Sequence, residues 1–308
     1  MTFYLVTGGC GFIGSHLVDA LLADGHHVRV LDDLSTGTTD NLPAGVELIT
    51  GDVADYDTAG KAMQGVEGCF HLAAIASVPR SVDEWRRTHD VNLTGAINIF
   101  DHARADSAHT PRPVVYASSA AVYGAPAYIP LDERAPVLPL TAYGADKLGC
   151  EQHGYVAWEV HKIPTRGFRF FNVYGPRQHP ENPYAGVVSI FADRLRKGQG
   201  IKIFGDGQQT RDFIYVRDVV QILQRAMAQP WQGAEVMNIA TGNGTTVQQL
   251  AEVISHICGN AAPQIGWEPA RIGDIKMSIG AAPRLQEILG ITPRISLEEG
   301  LREYLASL

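Results

Sequence analysis

The chain has 308 residues, 45% hydrophobic and 19% charged, with a net charge of −8. That composition suits a globular protein large enough to bury its core without cross-links, and the acidic balance with no basic block argues against nucleic acid as a partner. Cys10, Cys69, Cys150 and Cys258 are scattered without CxxC spacing, and the histidines show no HExxH pattern, so no metal site and no disulfide framework is predicted. A reducing, cytoplasmic setting is expected. The N-terminus has no basic leader, and no apolar run is long enough to span a bilayer, so no membrane partner is expected.

Residues 3–7 form a short apolar run of strand formers that ends in Gly8-Gly9-Cys10-Gly11-Phe12-Ile13-Gly14. Leu17, Ala20, Leu21 and Leu22 then recur at helical spacing. Strand, glycine turn and helix is the context that a dinucleotide fingerprint requires. The glycines fit two registers, Gly9-x-Gly11-x-x-Gly14 and Gly8-x-x-Gly11-x-x-Gly14. In either, bare backbone N–H groups approach a pyrophosphate at a helix N-terminus.

A second strand over 27–31 ends in Asp32-Asp33. An acid at this place grips a ribose 2′-hydroxyl and repels the extra phosphate of NADP. NAD is therefore the predicted cofactor, with Asp32 as its ligand and Asp33 as the second candidate. A third strand over 46–50 leads to Asp52 and Val53, where an adenine would lie, and a helix follows over 58–63. The strand at 69–72 runs into Ala73-Ala74, small residues that let a cofactor pass close to the sheet edge.

Helical patterns follow near 82–87 and 91–104, the second opening on Asn92, which reads as a cap or as a ligand to backbone or cofactor. A strand over 113–117 delivers Ser118 and Ser119 to the carboxyl edge, either as turn serines or as hydroxyls for a substrate oxygen. The regular alternation predicts an α/β fold, a doubly wound parallel Rossmann sheet. Beyond residue 172 the rhythm loosens. Domains are predicted at 1–172 for NAD and catalysis and at 173–308 for a smaller mixed α/β substrate lobe, with some segments returning to the first.

Tyr143 and Lys147 stand four apart in a helical stretch, which stacks them on one face. A free phenol has a pKa of about 10, and a fixed ammonium beside it favours the phenolate. The pair can act as a general base toward a hydroxyl, although the same spacing is common on solvated helix faces.

Ser119, Tyr143 and Lys147, with the glycine turn, Asp32 and Asp52-Val53, resemble the extended short-chain dehydrogenase/reductase family over essentially the whole chain. SSAAVYG at 118–124, YGADK at 143–147, FFNVYGPRQ at 170–178 and FGDGQQTRDFIYV at 204–216 are similar to the UDP-hexose 4-epimerases within it. The resemblance implies NAD held by Gly8, Gly11, Phe12, Ile13, Gly14, Asp32, Asp52, Val53, Leu72, Ala73, Ala74, Tyr143 and Lys147. It implies Tyr143 as the proton acceptor, Ser119 sharing the hydrogen bond and Lys147 on the nicotinamide ribose. The UDP-sugar falls to Ser119, Tyr143, Asn172, Val187, Phe204, Arg211, Arg271, Asp274 and Ser278. A homodimer built on the helices near 91–104 and 143–161 is implied as well.

Three departures choose among reactions and sugars. The 4,6-dehydratases of the family carry an Asp-Glu pair where this chain has Ala120-Ala121, and alanines transfer no protons. UDP-glucuronate epimerases place Thr at Asn172 and a second Arg at His179, so a neutral sugar is favoured, while Arg177 keeps the acidic sugar open. Ser278 stands at a gate that is bulky in enzymes restricted to UDP-glucose and UDP-galactose, so UDP-GlcNAc and UDP-GalNAc are expected to enter. The alternatives are a UDP-glucuronate 4-epimerase, a nucleotide-sugar 4,6-dehydratase, or a non-catalytic NAD-sensing regulator of the same fold.

Overall fold

A computed structural model describes residues 1–106, 110–126, 128–178, 186–260, 263–270 and 275–308. His179, Arg271 and Asp274 lie outside the described residues. The N-terminal part runs β1 (Phe3–Thr7), α1 (Phe12–Ala23), β2 (His27–Asp32), β3 (Glu47–Thr50), α2 (Tyr56–Met63) and β4 (Gly68–His71). Next come α3 (Val78–Asp83), α4 (Trp85–His89), a π turn over Asp90–Thr94, α5 (Gly95–His102), β5 (Val114–Ser119), α6 (Ala142–His161) and β6 (Thr165–Phe170). The remainder is β7 (Asn172–Tyr174), α7 (Val187–Arg196), β8 (Ile201–Phe204), β9 (Thr210–Tyr215), α8 (Val216–Ala228), β10 (Ala234–Ile239), β11 (Gly244–Thr246), α9 (Val247–Ile257), β12 (Ile265–Glu268), β13 (Met277–Ser278) and α10 (Leu297–Ala306).

Seven parallel strands form the main sheet in the order β10-β6-β5-β4-β1-β2-β3. The central strands are apolar on both faces because helices cover both. On one side Val6, Val30 and Phe70 pack with Leu17 and Val18 of α1 and Val219 and Leu223 of α8. On the other, Leu5, Leu31 and Cys69 pack with Ala59 of α2, Ile99 of α5 and Cys150 of α6. The strand order reverses between β1 and β4, and a crevice opens there beyond the carboxyl ends.

β10, from the C-terminal half, pairs with β6 of this sheet along its full length. The rest of that half makes small sheets of its own. β9 carries β7 and β13 as parallel partners and β11 as an antiparallel one, and β8 pairs with β12. The sequence did not signal β7, β11 or β13, which are too short for a period to emerge, nor β12. The helices expected at 82–87 and 91–104 are instead α4 and α5, joined through the π turn into one nearly continuous run. Asn92 therefore sits inside a helical run and does not open a helix. Among the described residues no helix is long and apolar enough to cross a membrane.

Candidate functional site

A cleft of about 290 Å³ follows the switch point. Every cofactor residue expected from the sequence lines it: Gly8, Gly11, Phe12, Ile13, Gly14, Asp32, Asp52, Val53, Leu72, Ala73, Ala74, Tyr143 and Lys147. The glycines are sterically required. Gly8 has φ +70, and a Cβ there would lie 2.8 Å from the Ala73 nitrogen. A Cβ on Gly14 would lie 2.1 Å from the Gly8 carbonyl oxygen. The turn is thus pressed against the end of β4 and against the start of α1, whose N-terminus has no side-chain cap and no acid in its first turn. Uncapped N–H groups at a positive dipole end suit a diphosphate, so the cleft fits a dinucleotide.

Asp32 is 7% exposed and already works for the fold. Its two oxygens accept the N–H groups of Cys10 and Leu34, each at 2.9 Å, which ties the glycine turn to the end of β2. Burial pushes its carboxyl above the ordinary range, and the two N–H bonds pull it partly back. A carboxylate offers about four acceptor positions, so ribose hydroxyls can share it. Asn92 turns out to bind backbone. Its side chain accepts the Ile75 N–H at 2.8 Å and donates to the Ile75 carbonyl at 3.2 Å, fixing the wall that follows β4.

The catalytic candidates converge at the far end of the cleft. Thr141 caps α6 by accepting the Gly144 N–H at 3.1 Å, and this sets the first turn that bears Tyr143. The Lys147 ammonium, 2% exposed, donates to the Ala117 carbonyl at 3.0 Å and lies 6.0 Å from the centre of the Tyr143 ring. An ammonium has three donors, so one anchors it to β5 and the others remain for a ribose and the phenol. Beneath it lies buried His71, whose pKa is pushed down to about 3 by burial and by the Lys147 charge. Ser119 ends β5, and its hydroxyl accepts the Ala121 N–H at 3.1 Å, which leaves its own hydrogen free to donate.

A second cavity, of about 390 Å³, adjoins the first. Ser119, Ala120, Ala121, Gly124, Asn172, Arg211 and Ser278 line it, and Phe170 lines both cavities. Four of the expected substrate residues, Ser119, Asn172, Arg211 and Ser278, are therefore brought together from β5, β7, β9 and β13. Val187 and Phe204 line neither cavity: Val187 opens α7, and Phe204 closes β8 half-buried. Asp212 and Asp218, the acids near Arg211 in sequence, bind backbone. Asp212 accepts the N–H groups of Thr241, Gly242 and Gly280, and Asp218 those of Arg294 and Ile295.

Glu151, Arg169, Asn238, Arg80 and Arg87 gave no signal in the sequence. Ser118 donates to Glu151 at 2.5 Å, and Glu151 holds Arg169 through two bonds of 2.9 and 2.7 Å. Arg169 donates to the Tyr123 hydroxyl, which donates to Asn238 of β10. This buried chain braces α6, β5, β6 and β10 directly behind Ser119 and Phe170. Arg80 and Arg87 line the cofactor cleft from α3 and α4. They stand seven apart, a spacing of two helical turns, but nothing in the sequence places those helices along the cleft. Arg177 turns away from both cavities to pair with Asp19 of α1 at 2.7 Å.

Comparison with known proteins agrees with this geometry. The profile of the "NAD dependent epimerase/dehydratase family" matches residues 4–240. The UDP-glucose 4-epimerase of Mycolicibacterium smegmatis is 40% identical over 304 residues, covering 96% of this chain and 95% of that protein. The UDP-glucose 4-epimerase of Thermotoga maritima, crystallised with UDP-glucose, superposes with a TM-score of 0.93 at 36% identity, over 99% of this chain and 98% of that one. A UDP-N-acetylglucosamine 4-epimerase from Methanobrevibacter ruminantium, in complex with UDP-N-acetylmuramic acid, superposes with a TM-score of 0.92 at 34% identity, over 99% and 97%.

Proposed function

The chain belongs to the NAD-dependent epimerase/dehydratase family, with NAD as its cofactor, and from that premise we propose that it interconverts the C4 epimers of a UDP-hexose through a transient 4-keto sugar. The observation that carries this reading is the meeting of the two cavities. Tyr143 and Lys147 line the cofactor side, Ser119 lines the sugar side, and Phe170 is common to both. Held by the glycine turn, Asp32 and Lys147, NAD would supply the reversible hydride transfer at the sugar carbon. Tyr143 takes the proton of the 4-hydroxyl and later gives it back. Ser119 donates a hydrogen bond to the same oxygen, with the one hydrogen its local bonding leaves free. Lys147, anchored on β5, binds the ribose and keeps its ammonium on the same side of the cleft as the Tyr143 ring. Asn172 and Arg211 grip the nucleotide part, Arg211 through charge-assisted bonds to the diphosphate.

Two features support epimerisation of a neutral sugar. Ala120 and Ala121 line the wall beside Ser119, so no side chain stands there to eliminate water. Arg177, the cation that a sugar carboxylate would seek, lines neither cavity and pairs with Asp19. Ser278 leaves room for a 2-acetamido group, so UDP-GlcNAc and UDP-GalNAc are accepted together with UDP-Glc and UDP-Gal. The test assays UDP-glucose, UDP-GlcNAc and UDP-glucuronate side by side. Turnover of UDP-glucuronate alone, or release of a 4-keto-6-deoxy product, overturns the reading. The exposed Tyr155, Val156 and Val160 on α6 support pairing of two copies through α5 and α6, which sedimentation checks.

A further inference from the structure

Three carboxylates, Asp32, Asp33 and Asp52, line the end of the cofactor cleft at the tips of β2 and β3, and the Arg87 guanidinium from α4 reaches across to two of them, Asp33 and Asp52. Arg87 Nη1 lies 2.6 Å from Asp52 Oδ2, and Nη2 lies 3.7 Å from Asp33 Oδ2. Both carboxylates are fixed from behind. Asp52 Oδ1 accepts the Ala54 N–H at 2.9 Å, and Asp33 Oδ1 accepts the Ser35 N–H at 3.0 Å and its hydroxyl at 2.6 Å. The guanidinium is therefore held by one edge, while its side chain stays 40% exposed at the rim of the cleft.

We propose that Arg87 is a latch on the adenosine end of the cofactor site: its guanidinium, oriented by Asp52 and Asp33, covers the purine of bound NAD and slows its release. A guanidinium is planar and delocalised, and it stacks on aromatic faces, which an ammonium does not do. Ion pairs this exposed are weak and screened by water, so the latch opens readily to admit the dinucleotide. Its charge also has an effect in place. Without Arg87 the carboxylates of Asp33 and Asp52 would lose the guanidinium that pairs with them, facing a ligand that itself carries a diphosphate. Stacking and charge relief act in the same direction, toward retention. The fingerprint residues on the strand ends bind the ribose and diphosphate, and Arg87 adds a contact from a helix outside that fingerprint.

The experiment follows NADH leaving the purified, NADH-loaded protein, by its fluorescence after mixing with excess NAD, together with equilibrium titration of NAD into the stripped protein. Arg87→Ala is expected to speed release and weaken affinity roughly tenfold, the size of one purine stacking contact. Arg87→Lys, which keeps the charge without the plane, recovers less than half of that loss on a logarithmic scale. Arg86→Ala removes the same charge from the exposed neighbour on the same helix and stays within twofold of the wild type. Thermal melting of the stripped proteins separates loss of fold from loss of ligand. Release from Arg87→Ala within twofold of wild type overturns the latch. So does an equal effect from Arg86→Ala, which would reduce it to net charge, or full recovery with Arg87→Lys, which would remove the stacking.

Discussion

Replacing Glu151 with Gln tests whether the buried chain behind Ser119 holds the site together. Both members of the Glu151–Arg169 pair are nearly closed off from water, with side chains 7% and 8% exposed. The carboxylate takes three hydrogen bonds: one oxygen accepts Ser118 Oγ and Arg169 Nε, and the other accepts Arg169 Nη2. Burial alone would pull the guanidinium pKa down, yet the hydrogen bonds and charge of Glu151 hold it above the ordinary arginine value. An amide at 151 keeps the shape but turns one acceptor into a donor facing another donor, and it strands a buried cation. Removing one partner of such a pair costs about 3–5 kcal/mol, because the other is left charged and dry. That is a large share of the roughly 5–15 kcal/mol that keeps a protein folded. Urea unfolding of the NAD-free protein should show the loss, and kcat should fall as well, because Ser118 abuts Ser119 and Arg169 abuts Phe170. The double variant Glu151→Leu with Arg169→Met removes both charges and should regain about 2 kcal/mol or more over the sum of the single changes. A loss below about 1 kcal/mol in Glu151→Gln would refute the argument, by showing that Tyr123 and water satisfy Arg169 on their own.

Tyr143→Phe keeps the ring and removes the proton acceptor, so kcat should fall by about two to four orders of magnitude, while NAD titration still shows binding. Ser278→Tyr should lower kcat/KM for UDP-GlcNAc by roughly tenfold or more and spare UDP-glucose; equal loss on both sugars sinks the gate. Gly14→Ala drives a methyl to within 2.1 Å of the Gly8 oxygen, so α1 must shift and NAD affinity should drop by at least about tenfold, read by titration. His71 makes acid destabilising. Its folded pKa is about 3 against an unfolded value of about 6.5, so the unfolded chain takes up the proton first. The stability is fully present above pH 6.5 and is lost as pH falls toward 3, by about 1.4 kcal/mol per pH unit below pH 6. His71→Asn, which still offers Thr7 an acceptor where Nδ1 stood, should flatten the dependence of urea midpoint on pH between 7 and 4; an unchanged slope refutes it.

The parts of the site that could be read from the sequence are those built by local chemistry. The turn at Gly8, Gly11 and Gly14 is dictated by backbone crowding within a dozen residues. Tyr143 and Lys147 follow from one helical turn, and the parallel sheet follows from apolar strands alternating with amphipathic helices. What stayed hidden depends on elements distant in sequence. Glu151 and Arg169 are ordinary charged residues until β6 is laid beside α6. Arg87 reads as a solvated helix face until α4 is set along the cleft. Asn92 was open between cap and ligand because a π turn cannot be told from the helix around it by period. Val187 and Phe204, to which the resemblance gives substrate contacts, line neither cavity as described. Arg177 was the ambiguous cation until Asp19, far away in sequence, claimed it.

The two cavities also differ in the kind of hold they offer, and the proposed reaction needs that difference. Around the dinucleotide, polar groups are pinned: Asp32 by two N–H bonds, Lys147 by the Ala117 carbonyl, and the wall after β4 by Asn92. On the sugar side, Ala120, Ala121 and Gly124 bring no side-chain donor or acceptor to the wall. A 4-keto ring set against these three residues receives no directed bond from them, and the proposed reaction draws its directed bonds from Ser119 and Tyr143, at the oxygen that both faces share. An epimerase must present either face of C4 to the same hydride position, so strong bonds to the ring hydroxyls would trap one orientation. Placing the affinity on the nucleotide, through Asn172 and Arg211, and leaving the ring against small apolar residues lets the sugar turn without leaving the site. Giving the wall a carboxamide, as in Ala121→Asn, should therefore tighten substrate binding while lowering kcat, and a kcat that rises with the tighter KM would refute the loose-sugar argument.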